Sequence, residues 1–148
     1  MAGFAVRRPA TAFANAPAAG KKRPREKDKD HLEFIRTLPC VVSGVRPVEA
    51  AHIRMADPSY GKRETGTAER PDDRWVVPLS PAMHREQHSG SEAEFWTRHG
   101  IDPCKVALAL YAVTGDDQQA DIILRNARTR SILDRPTNNP EIIEGDHE

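Results

Sequence analysis

The sequence predicts an α+β fold: a small ββα finger able to hold one metal ion, flanked by α-helices, with irregular tails at both ends. Three observations carry that prediction. Trp75-Val76-Val77-Pro78 reads as a short β-branched strand that stops at a proline. Pro81 then opens a helical stretch carrying His84 and His88. Residues four apart on a helix share a face, with Cβ atoms about 5–6 Å apart, and two imidazoles so placed can grip one ion. Upstream, Val48 to Ile53 reads as a second strand, and it carries His52. The chain order is therefore strand, strand, metal helix.

The remaining elements follow from local signals. Residues 1–27 are rich in Ala, Pro, Lys and Arg without periodicity, and are expected to form a disordered basic arm. Leu32, Ile35 and Leu38 then repeat at helical spacing until Pro39, which predicts a helix over about 29–37. Cys40-Val41-Val42 reads as extended and Ser43-Gly44 as a turn. Residues 54–74 form a long polar loop, of a length unusual unless it has a function. Ser91 with Glu94 three residues on is a capping box for a helix over about 92–99, closed by Gly100. Asp102-Pro103 starts a further helix, Gly115 breaks it, and the last helix runs from Asp116 to about Ser131. The core domain thus spans 28–133, with the finger over about 48–90, and 134–148 is an acidic tail expected to be disordered.

Composition narrows the function classes. The chain has 148 residues, 38% hydrophobic, and a net charge of zero, which suits one domain with tails. The zero hides an asymmetry. The arm has Arg7, Arg8, Lys21, Lys22, Arg23, Arg25 and Lys27 against Glu26, whereas the tail has Asp134, Glu141, Glu144, Asp146 and Glu148 against Arg135. A basic arm suits a polyanion such as DNA; it also suits a solubilising tail. The two cysteines, Cys40 and Cys104, make no disulfide framework, so a reducing, cytoplasmic location is expected. No apolar stretch reaches the length of a membrane span, and the start lacks the apolar region of an export signal, so no membrane partner is expected. An Ala-rich, Arg-containing start also fits a transit peptide.

The histidines suggest phosphodiester hydrolysis. A nuclease must polarise a phosphate, stabilise the leaving oxygen and activate a water. One divalent ion serves the first two tasks, and a neutral imidazole, with an unperturbed pKa of about 6.5, serves the third. The division expected here is His84 and His88 as metal ligands and His52 as general base. The loop carries Arg54, Lys62, Arg63, Arg70 and Arg74. Arg54, Lys62, Arg63 and Arg74, with Lys21, Lys22, Arg23 and Arg25 of the arm, are the candidate nucleic-acid contacts. A zinc peptidase would need Glu directly after the first histidine of the pair; Arg85 stands there. Three ordinary polar histidines in a small helical domain are the plainest alternative.

Residues about 32–115 resemble the HNH endonuclease superfamily, and most nearly its short phage and prophage forms. These read Leu-Pro-Cys-x-x-Cys-Gly, then Ala-His-Ile-Arg, then Val-Pro-Leu-Cys-x-x-His-His-x-x-x-His. This chain has Leu38-Pro39-Cys40-Val41-Val42-Ser43-Gly44, Ala51-His52-Ile53-Arg54, and Val77-Pro78-Leu79-Ser80-Pro81-Ala82-Met83-His84 through His88. The resemblance implies His52 as base, His84 and His88 as ligands to one Mg, Mn, Ni or Zn ion, and DNA as the partner. It places Asp73 near the family's middle Asn, which pins the loop; Asp can accept hydrogen bonds there but not donate them. Many relatives hold a second, structural zinc. The matching positions are Cys40, Ser43, Ser80 and Met83, a poor donor set, so no structural zinc is expected. Some relatives place another metal ligand where this chain has Ala51. Two readings beside the nuclease stay open: a catalytically inactive nucleic-acid-binding protein on a degenerate finger, and a protein-interaction module working through the C-terminal helices.

Overall fold

A computed structural model describes residues 24–66 and 68–133. Lys21, Lys22 and Arg23 of the arm, and the acidic tail from 134, lie outside the described residues. The elements run α1 (Lys29–Arg36), β1 (Glu49–His52), a 3₁₀ turn (Pro58–Tyr60), β2 (Val76–Leu79), α2 (Pro81–His88), α3 (Glu92–His99), α4 (Pro103–Ala112) and α5 (Asp117–Leu133). The fold is α+β, with the succession β1, β2, α2 at its centre. Among the described residues, no helix is long and apolar enough to cross a membrane.

β1 and β2 pair antiparallel, with Glu49 opposite Leu79, Ala50 opposite Pro78, Ala51 opposite Val77 and His52 opposite Val76. The sequence ended the second strand at Pro78, yet Pro78 lies inside β2. Its carbonyl accepts from the Val41 amide at 2.9 Å, so it points away from β1. The missing N–H of Pro78 would have pointed the same way, and no bond of the ladder is lost. All four β2 residues are buried, because the strand is covered by α1 and α4 as well as paired with β1. The sheet and helices enclose a core whose largest members include Trp96, Phe95, Ile35, Ile53, Leu79 and Leu110. Burying each such aliphatic or aromatic side chain contributes about 1.5–3 kcal/mol.

The caps fall where the residues suggest. Asp28 accepts from the His31 amide at the start of α1, Ser80 from Met83 at α2, Ser91 from Glu94 at α3 and Asp102 from Lys105 at α4. Each satisfies a donor that the first helical turn leaves over. Gly100 closes α3 with φ 63°, a left-handed conformation that glycine takes at little cost. His31, on α1, is fully buried. The Thr114 hydroxyl donates to the Tyr111 carbonyl, so it can only accept from His31 Nδ1, 2.8 Å away. His31 is therefore the Nδ1–H tautomer, and its Nε2 has no hydrogen-bond partner among the described residues. Burial lowers its pKa.

Three expectations need correction. Residues 41–43 form a turn rather than an extended piece, with Gly44 at φ 73° beneath Arg128 of α5. Residues 24–27, assigned to the arm, are tied to the loop end: the Glu26 amide donates to Asp72, the Asp73 amide to the Glu26 carbonyl, and Arg74 pairs with Glu26. The long loop is itself organised. Asp57 and Lys62 bridge each other's backbone around the 3₁₀ turn. Lys62 folds inward until it is 5% exposed, with Nζ donating to the Met55 carbonyl at 2.7 Å and standing 5.9 Å from the Trp75 ring centre. An ammonium so engaged braces the loop from inside. Lys62→Ala is expected to lower stability by about 1–3 kcal/mol, measured by urea unfolding, while leaving the salt dependence of any nucleic-acid binding unchanged.

Candidate functional site

The α2 histidines sit one turn apart, with ring centres 4.8 Å apart and the two Nε2 atoms at 3.1 Å. Glu49, at the start of β1, accepts from His84 Nδ1. A carboxylate can only accept, so His84 carries a proton on Nδ1, and its neutral ring presents a lone pair at Nε2. Two bare Nε2 atoms at that separation repel unless one bears a proton or a cation lies between them. Nitrogen ligands about 2.0–2.1 Å from one ion stand roughly 3 Å from each other. The pair fits that separation without rearrangement. His88 has its pKa lowered, first by burial and then by His84, which favours the neutral form a ligand needs. The Glu49–His84 contact is the usual way a carboxylate fixes the tautomer and orientation of a metal-binding imidazole. Among the described residues, no three His, Cys, Asp or Glu side chains come together as a ligand group.

His52 ends β1, and its Nε2 lies 2.9 Å from Asp73 Oδ1. Nε2 is the donor here, which leaves Nδ1 as the basic nitrogen. Asp73 is 2% exposed and also accepts from the Arg25 guanidinium and the Asp28 amide. Burial alone would raise its pKa. The hydrogen bonds from His52, Arg25 and Asp28, with the nearby Arg25 charge, outweigh burial and lower it, so Asp73 is a carboxylate. His52 has its pKa lowered, chiefly by burial, with Asp73 opposing and Arg25 and Arg70 assisting. It is a neutral imidazole at pH 7 with one nitrogen committed and one available.

The three histidines line one cleft of about 260 Å³, together with Arg25, Arg36, Arg54 and Arg70. Its floor is braced at the α2–α3 junction. Gln87, buried, donates to the His52 carbonyl and to Glu92. Glu92, in the first turn of α3, also accepts from the Arg54 amide and from Trp96 Nε1. One carboxylate thus holds the end of β1, α2 and α3 together, in the place where a helix dipole favours negative charge.

The other sequence-named residues divide. Arg25 is engaged by Asp73 and by the Pro71 carbonyl, Arg74 by Glu26 and Arg63 by Glu69. Lys62 faces inward, whereas Arg54 lines the cleft. The four zinc-type positions fall in two local turns, linked where the Ser80 backbone donates to Cys40. Cys40 Sγ accepts from the Ser43 amide at 3.4 Å, and the Ser80 hydroxyl from the Met83 amide at 3.4 Å. Burial pushes the Cys40 thiol up, but bonds from Ser43, Ser80 and Val42 overcome it and lower its pKa. The other cysteine, Cys104, is pushed up to about 12 by burial. Ala51 is fully buried in the core, whereas Ala50 lines the cleft with His52, so a side chain at 51 does not face the α2 pair. Glu49 and Arg36 were not singled out, and Arg70 was named only as one of the loop cations. Glu49 lies 35 residues from His84 along the chain, and no local pattern links the two.

The described residues therefore make a small α+β protein with an arginine-rimmed histidine cleft. A family model described as "Protein of unknown function (DUF968)" matches residues 8–113, and the chain belongs to that family. No curated protein and no solved structure matches the chain.

The two neighbouring alanines give a direct test of this geometry. Ala50→Asp adds a carboxylate to the cleft and is expected to tighten divalent-ion binding, measured by calorimetry. Ala51→Asp puts a charge in the core and is expected to cost more than about 3 kcal/mol of stability, measured by thermal unfolding.

Proposed function

We propose that this protein is a divalent-metal-dependent phosphodiesterase acting on DNA, an endonuclease or nickase of the HNH type. The observation that carries the reading is the pairing of two features in one cleft: imidazole nitrogens 3.1 Å apart, and a neutral His52 held by Asp73. His84 and His88 would hold the ion, which supplies polarisation of the phosphate and stabilisation of the leaving 3′ oxygen. His52 Nδ1 takes a proton from the attacking water. Asp73 keeps the ring in the tautomer that makes this possible and stabilises the imidazolium that results. Glu49 orients His84. The water oxygen bonds to phosphorus, the bond to the 3′ oxygen breaks, and that oxygen leaves protonated by solvent.

With two protein donors in place, a protein that binds nucleic acid without cutting it is the second reading. Supercoiled plasmid with Mg²⁺, Mn²⁺ or Ni²⁺ separates the two. Nicking that disappears with EDTA supports the phosphodiesterase, and a gel shift without nicking supports the binder. His52→Ala is expected to lower the cleavage rate by about 10²–10⁴-fold with metal binding kept; cutting at the wild-type rate would remove His52 from the mechanism.

The pH profile follows from the same geometry. The base must be unprotonated, and its pKa lies below the ordinary 6.5, so the neutral form persists below that pH. The acid limb of log kcat/KM is expected to have its midpoint below pH 6.5. A midpoint above pH 6.5 would contradict the assignment of His52 as base.

A further inference from the structure

The histidine cleft carries more positive charge than its chemistry uses. Among the described residues, four arginines line it and no Asp or Glu does, in a chain whose net charge is zero. One of the four is committed, since Arg25 compensates the buried Asp73. Arg36 and Arg70 differ. Arg36 is exposed in the last turn of α1, and Arg70 is exposed near the end of the loop. Neither guanidinium has a hydrogen bond or ion pair among the described residues. They reach the cleft from separate elements and line it together with His52, His84 and His88. Arg70 also lines an adjoining cleft of about 340 Å³ with Lys62, Arg63 and Trp75, where the carboxylates Glu69 and Asp72 are themselves paired with Arg63 and Arg74. Its wall is therefore common to both openings.

Exposed arginines with carboxylate partners do little for an external anion, because the internal pair must first be broken. That discounts Arg63 and Arg74, which stand with Glu69 and Glu26. An unpartnered guanidinium in a cleft without carboxylates lacks this competition. Its planar fork of donors matches the oxygens of a phosphate. Two of them, on different elements, suit an anion that repeats along a chain.

We propose that Arg36 and Arg70 form a metal-independent phosphate-binding pair that takes the phosphodiesters flanking the one under attack, with the strand continuing past Arg70 into the adjoining cleft. The choice of a nucleic-acid strand as ligand rests on the phosphodiesterase reading; the binding itself requires no ion and no turnover. Recognition is through the backbone and is indifferent to base sequence. Arg36 and Arg70 thus take over the contact role that the sequence assigned to Lys62, Arg63 and Arg74.

The test is equilibrium binding of a fluorescent DNA duplex to the full chain in EDTA, by anisotropy, across a salt series. Arg36→Gln and Arg70→Gln are each expected to weaken binding and to lower the slope of log K against log salt by about 0.9, and the double variant by about 1.8. Arg36→Lys and Arg70→Lys keep the charge and should keep most of the slope. Arg125→Gln, on α5 and paired with Asp121, is the control and should change neither quantity. Circular dichroism checks that each variant is folded. A folded double variant with the wild-type slope and affinity overturns the pair, as does a wild-type protein that does not bind the duplex. The two proposals fail separately. Slopes that fall as expected in a protein that never nicks plasmid would uphold the phosphate pair and remove the phosphodiesterase. Metal-dependent nicking with unchanged slopes would do the reverse.

Discussion

Asp73 is a buried carboxylate, 2% exposed, and such a group must be compensated where it stands. Three donors converge on it from separate parts of the chain: the Arg25 guanidinium, the Asp28 amide and His52 Nε2. The same residue therefore fixes the segment before α1, the entry to α1, the end of the long loop and the histidine of β1. Removing the carboxylate would release all four together and leave the partly exposed Arg25 guanidinium without its counter-charge. The base and the segment leading into α1 are held by one acceptor, which couples the integrity of the cleft to the docking of residues 24–28.

The histidines of this chain show how the partner of one ring nitrogen decides what the other can do. His31 is closed off, donating to Thr114 while its second nitrogen faces the core. His52 gives one nitrogen to Asp73 and keeps the other for the cleft. His84 gives one to Glu49 and turns the other toward His88. His99 lies against Phe95 and within reach of Glu86, as a helix-end residue. In all four, a partner more than a dozen positions away helps to build the environment.

That distance explains how much could be read beforehand. Helices α1, α3 and α4, and the αL closure at Gly100, rest on caps and periodicity within a few residues, and they were legible. So was the ββα order, since His52, the Val76–Val77 run and the Ser80-Pro81 start of α2 are local signals. The α+β class followed from these. What could not be read is what folding decides at long range. Lys62 looks like any solvated loop lysine until Trp75 and the Met55 carbonyl close around it. Arg25 looks like one more cation of a basic arm until Asp73 is seen to be buried. The choice between positions 50 and 51 depends on strand register and on which face of the sheet is covered. Arg36 and Arg70 stand out only once Arg25, Arg63 and Arg74 are seen to be paired. Composition counts charges; it does not show which of them have already been neutralised.

The proposed chemistry requires His52 to be a neutral imidazole, with its proton held on Nε2 by the contact with Asp73 and Nδ1 left open as the base. Nitrogen-15 chemical shifts of the His52 ring across pH measure this directly in the full chain. The account predicts the Nε2–H tautomer at pH 7 and a midpoint of protonation below 6.5. An Nδ1–H tautomer, or a midpoint above 6.5, would contradict it.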